Sequence, residues 1–218
     1  MRMMRTKMFL VAGGAFALSV ALGAPADTAA ARQPESVHSL LEQVQRHAAA
    51  LMRVGLTPDE ARIHLAELRA ARSKLIDSAP DDWRAPSWLL DQAADLANQL
   101  AAAGTEASVL AGIPTEPERK DAYEAAWEVF QLAARADDAA ARAVRRLESA
   151  PDPSQPVTDS DRTSIDDALA IVIDQEQAVR IPYYRGRAAA VLAALEAEPT
   201  DRSEHARVAM ESLGGLRL

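Results

Sequence analysis

Residues 55–80 read GLTPDEARIHLAELRAARSKLIDSAP, and the reading of this stretch decides the fold class. Gly55 ends whatever precedes it, and Thr57-Pro58-Asp59-Glu60 is a helix start. Thr57 can cap the first turn, Pro58 suits a position whose N–H is unused, and Glu60 can reach back as the capping-box acid. Ala61, Leu65, Leu68, Leu75 and Ile76 then recur on one face of a helix that lasts until Pro80. Upstream, Val37, Leu40, Leu41, Val44, Leu51 and Met52, with Ala48 between them, form a second stripe from Glu35 to Val54. Two helices of about 20 residues joined by so short a turn make an antiparallel hairpin.

Working outward, the same periodicity continues. Ser87 to Ala103 reads as a third helix closed by Gly104, followed by a loop through Gly112 and Pro114. Thr115-Glu116-Pro117-Glu118 starts another helix. Its stripe is Tyr123, Trp127, Phe130 and Ala134, and it continues or restarts near Asp137. Beyond residues 151–161, a Pro-rich linker, Ile165 to Ile181 is helical. Pro182 is expected to end or kink that helix, because the residue before a proline avoids the α region. Tyr184 to Leu195 and Glu204 to Leu213 complete the set. The expectation is an all-α chain of about seven amphipathic helices in consecutive antiparallel hairpins, forming a bundle or a short TPR-like α-solenoid. Residues 35–150 and 162–218 form its N- and C-terminal helical regions, separately or as one domain. The tetratricopeptide pattern itself is met only by Ala126-x-x-x-Phe130, so no family follows.

Composition agrees. Of 218 residues 48 are alanine and only nine are aromatic, which suits many close helix–helix contacts. The longest β-branched run is Ile171-Val172-Ile173, too little for a strand-rich fold. The absence of cysteine excludes disulfides, thiolate metal sites, a cysteine nucleophile and an N-terminal lipid-anchored cysteine.

The N-terminus reads as an address. Arg2, Arg5 and Lys7 precede 14 uncharged residues, Phe9 to Leu22, and Ala24-Pro25-Ala26 supplies small residues for cleavage. These are the parts of a secretory signal peptide over residues 1–26, and the apolar run is short for a membrane span. Cleavage falls after Ala26 or, alternatively, after Ala31, with residues 27–34 a flexible leader. The expected destination is the periplasm or the exterior, without a lipid anchor and without membrane contact after cleavage. Removal of residues 1–26 leaves 21 basic against 32 acidic residues, a balance that disfavours nucleic acid.

Few residues promise chemistry. No Gly-rich phosphate loop, nucleophile elbow or H-E-x-x-H occurs, so no cofactor is expected and the chain reads as non-catalytic. Asp91 and Asp95 read as the solvent face of the third helix. Two constellations stand out. Arg180, Tyr183, Arg185 and Arg187 surround Pro182, and Trp83 lies on a connecting segment; these are the candidate contacts for a protein partner. Glu176, four residues before Arg180, is placed for an ion pair. If His47 faces His64 across the hairpin, Glu60 and Glu67 complete a two-His, two-Glu metal cluster. The leading expectation is an exported interaction or scaffolding module. A small metal-binding or hydrolytic bundle and a structural envelope component are the alternatives.

Overall fold

The computed structural model describes residues 35–149 and 159–216. The expected signal peptide and leader, and most of the expected Pro-rich linker, lie outside these residues. The described chain is all-α: α1 (Val37–Leu51), α2 (Pro58–Ser78), α3 (Ala85–Ala102), α4 (Thr105–Leu110), α5 (Glu116–Glu148), α6 (Asp159–Ala170), a π-helical segment (Ile171–Arg180), α7 (Ile181–Leu195) and α8 (Pro199–Gly214). No strand occurs among the described residues.

The opening hairpin forms as the sequence dictates. Thr57 and Glu60 close a capping box in which the Thr57 N–H donates to Glu60 at 2.9 Å, and Gly55 takes a left-handed φ of 86°. The helices run antiparallel. Lys74 of α2 reaches Glu35 beside the start of α1 at 2.9 Å, while His64 meets His47 near the other end. Leu40, Leu75 and Ile76 carry the hairpin into the main core, which Leu89, Leu90, Val129, Val172 and Ile181 extend.

The long α5 is one unbroken helix of 33 residues, without a restart at Asp137. Its inward face is not the aromatic stripe. Ala122, Ala126, Ala133, Ala136 and Ala140 are fully buried, whereas Tyr123 and Trp127 are 38% and 42% exposed. The cause is geometric: α5 packs against both α3 and α7, and methyl-sized side chains let helix axes approach where an indole would hold them apart. Tyr123 and Trp127 are displaced to the rim, while Phe130 packs on the core, and Trp127 and Phe130 both meet His205 of α8 edge-on.

Two further departures have local causes. The stretch expected to be a loop before Pro114 contains the short α4, entered through Gly104 at φ 71° and anchored by buried Val109. At Pro182 the expected boundary falls between two helical types, the π-helical run ending at Arg180 and α7 starting at Ile181 with the proline in its first turn, while the backbone stays helical. In an α-helix its ring would collide with the carbonyl four residues back and forfeit one hydrogen bond. Here the preceding turns are π-helical, and the Ile181 N–H donates to the Glu176 carbonyl five residues back. The wider turn accommodates the proline, and Ile181 stays in the right-handed helical region at φ −60°, ψ −54°.

Close approach also joins α7 to α8. A β-carbon built on Gly186 would lie 2.6 Å from Leu213 Cγ, so the glycine is required by contact rather than by backbone torsion. No helix among the described residues is long and apolar enough to cross a membrane.

Candidate functional site

Of the four polar residues expected to form a recognition cluster, the fold uses two as internal ties. Arg180 donates through Nη2 to Asp91 Oδ1 at 2.7 Å and through Nη1 to Glu176 Oε1 at 3.0 Å. Glu176 is only 3% exposed and also accepts from Ser87 Oγ at 2.6 Å. Asp91 and Asp95 are therefore not a bare solvent face: both are ion-paired, with Asp91 still 42% exposed. Arg72 of α2, itself buried, pairs with Asp95 and lies 3.8 Å from Asp91. The chain Arg72–Asp91–Arg180–Glu176–Ser87 ties α2, α3 and the π-helical segment together. Burial would lower the Arg180 pKa, yet the Asp91 hydrogen bond and the Glu176 and Asp91 charges raise it above the ordinary arginine value. The guanidinium is locked in its charged form.

Arg187 is a second tie. Its Nε donates to Glu106 Oε1 at 2.7 Å, a second nitrogen also engages that carboxylate, and Nη2 reaches the Ala97 carbonyl at 3.2 Å. The Glu106 hydrogen bonds raise its pKa despite burial. Glu106 lies on α4, the helix that the sequence reading took for a loop. Trp83 packs half-buried against the main core, as a wedge beside α3 rather than in the Arg/Tyr cluster. Tyr183 is 41% exposed and stacks edge-on against Tyr184 with ring centres 5.0 Å apart.

Arg185 differs from its neighbours. It has no ion-pair partner among the described residues, and its Nε is buried without a hydrogen bond. The guanidinium carbon sits 5.7 Å from the centre of the Phe130 ring, a cation–π placement that fixes its direction. It lines a cleft of about 300 Å³ whose wall also includes Asp137, Gln177, Ile181, Pro182, Glu211 and Ser212. The cleft thus lies among α5, the π-helical segment, α7 and α8. Of its two carboxylates, Glu211 is already matched by Arg207, with both oxygens 2.7 Å from Nη1. A buried N–H left unpaired costs about 1–3 kcal/mol, more for a charged group. Arg185 thus lines the cleft without a carboxylate partner, its Nε–H buried and unpaired beneath it. Arg69 of α2 also carries buried, unpartnered nitrogens.

The expected metal cluster assembles only in part. His47 and His64 do meet across the hairpin, with their Nδ1 atoms 3.2 Å apart. Glu60 is turned away into the capping box with Thr57, whose hydrogen bonds hold its pKa below the usual glutamate value. Glu67 is exposed and does not join the pair. No group of three or more His, Cys, Asp or Glu side chains is arranged to hold a metal ion among the described residues.

No protein-family model matches this chain, and neither a curated protein nor a solved structure does.

Proposed function

We propose that this is an exported, non-catalytic helical module that binds a partner protein, and that the Arg185 cleft receives a carboxylate-bearing segment of that partner. One observation carries the reading: Arg185, which has no ion-pair partner among the described residues and keeps a buried Nε–H unpaired, lines a cleft of about 300 Å³. A planar guanidinium is suited to paired hydrogen bonds with a carboxylate. Phe130 behind it and Ile181 and Pro182 beside it supply apolar surface for the rest of a peptide. The π-helical segment supports the same reading, since such turns recur at functional sites. The neighbouring charges of Arg180 and Arg187 are matched within the fold and serve architecture. Export rests on the basic, apolar and Ala-x-Ala parts of residues 1–26.

The test is a displayed peptide library presented with free C-terminal carboxylates and, in parallel, as C-terminal amides. Selected peptides should carry a free or side-chain carboxylate. Arg185→Ala should weaken them roughly 10- to 150-fold, the equivalent of a charge-assisted hydrogen bond of about 1.5–3 kcal/mol. The melting temperature should not fall. Peptides that bind Arg185→Ala as well as wild type, or a library that yields no carboxylate preference, would refute the assignment. Export is checked separately by cell fractionation and by sequencing the mature N-terminus, expected at Asp27 or Arg32.

A further inference from the structure

The hairpin of α1 and α2 holds a second feature, and none of the residues named at the Arg185 cleft belongs to it. His47, four residues before the end of α1, and His64, in the second turn of α2, are both half-buried. Their rings are tilted by 49° with centres 5.5 Å apart, and the Nδ1 atoms approach to 3.2 Å. At that separation the two nitrogens fit one proton between them, one donating and the other accepting. The spacing also matches that of two ligands on one metal ion. Imidazole nitrogens bind zinc at about 2.0–2.1 Å, so two of them on a tetrahedral ion stand about 3.3 Å apart. The observed spacing is within a tenth or so of that edge, and the nearly head-on nitrogens would reach a common ion once both rings turn by about 35°.

We infer that His47 and His64 form a two-imidazole site for a single borderline divalent ion of the zinc or copper class. The choice of ion follows from the donors. Neutral imidazole suits zinc, copper and nickel, while magnesium and calcium want oxygen ligands. With Glu60 held by Thr57 and Glu67 apart, the protein supplies two ligands and leaves the remaining positions to water or to a donor from another molecule. The ion would clip α1 to α2 near the turn, opposite the Glu35–Lys74 contact at the hairpin's base. Binding to the folded hairpin alone also makes the hairpin's stability depend on metal concentration.

The experiment uses the tag-free mature chain, titrated with zinc by calorimetry and with cobalt as a visible-band reporter, with magnesium as the control. One zinc per chain is expected, with no magnesium binding. His47→Gln and His64→Gln should each weaken zinc at least tenfold, and the double variant little further, because the two rings act as one site. His38→Gln and His205→Gln should bind as wild type does. Independently of any variant, the imidazole nitrogen resonances of His47 and His64 in wild-type protein should both shift to metal-bound positions on adding zinc. Zinc binding unchanged by either substitution, or resonance shifts confined to other histidines, would overturn the inference. So would the absence of binding at hundred-micromolar zinc.

Discussion

Replacing Arg180 by methionine separates an architectural role from a recognition role. The substitution keeps the aliphatic stem and removes the guanidinium that reaches Asp91 at 2.7 Å and Glu176 at 3.0 Å. Glu176, 3% exposed, would be left with Ser87 as its remaining side-chain donor. Breaking one side of a buried pair costs about 3–5 kcal/mol. Because the Arg180 side chain is itself 30% exposed, water can reach the vacated end, and about 2–4 kcal/mol is the better figure. For a chain of this size that is a fall in melting temperature of about 4–16 °C. The companion is the double variant Glu176→Met with Arg180→Met, which removes both charges and fills the space with apolar volume. It should recover most of the loss, since uncharged replacements of buried pairs are often neutral. Urea unfolding followed by circular dichroism, arranged as a double-mutant cycle, measures the coupling. If Arg180→Met unfolds within about 0.5 kcal/mol of wild type, the size of an ordinary surface substitution, while peptide binding disappears, Arg180 belongs to recognition and the account of the network is wrong. Additivity in the cycle would refute it equally.

Three further outcomes follow from particular contacts. Ala133→Leu inserts a branched side chain where α5 is fully buried, and overpacking should cost about 1–3 kcal/mol or more in urea unfolding, whereas Trp127→Ala at the rim should cost less. Asp82 accepts hydrogen bonds from the Arg84 side chain and backbone, which outweigh burial and lower its pKa. Its contribution is therefore complete above the usual aspartate range and is lost as pH falls through the lower folded value, so Asp82→Asn should flatten the acid limb of the stability profile. Thr57→Ala removes the helix cap at a cost of about 1 kcal/mol, visible as faster amide exchange in the first turn of α2 with the C-terminal helices unchanged.

The hairpin was legible because its signals are local. A cap, a proline, a glycine and two apolar stripes placed α1 and α2 to within a few residues and made the approach of His47 to His64 a condition the structure meets. The pairing of Glu176 with Arg180 was legible for the same reason, being one helical turn apart. What failed depended on the third dimension. Tyr123 and Trp127 read as core with Phe130, which does pack on it, because sequence periodicity ranks residues by size and apolarity and does not register that α5 is packed on two sides. Asp91 and Asp95 read as solvent-facing because their partners, Arg72 and Arg180, are distant in sequence. Arg187 read as free because Glu106 lies on a helix too short to carry a periodic signal. The boundary at Pro182 was legible, but its form as a π-to-α junction was not, because a π-helical run has no composition of its own. Of the recognition cluster only Arg185 and Tyr183 stay clear of ion pairs, and no spacing rule distinguishes Arg185 from Arg187 two residues on.

The most direct measurement is the side-chain Nε–H resonance of Arg185 in isotope-labelled mature protein, assigned by its loss in Arg185→Lys and followed as a carboxylate-terminated peptide from the library is added. Saturable movement of that resonance, with the corresponding C-terminal amide without effect and the Arg180 and Arg187 signals nearly still, is the predicted result. An Arg185 signal that stays in place while the peptide binds, or that drifts only as it does with added salt, would contradict the assignment of this cleft to partner recognition.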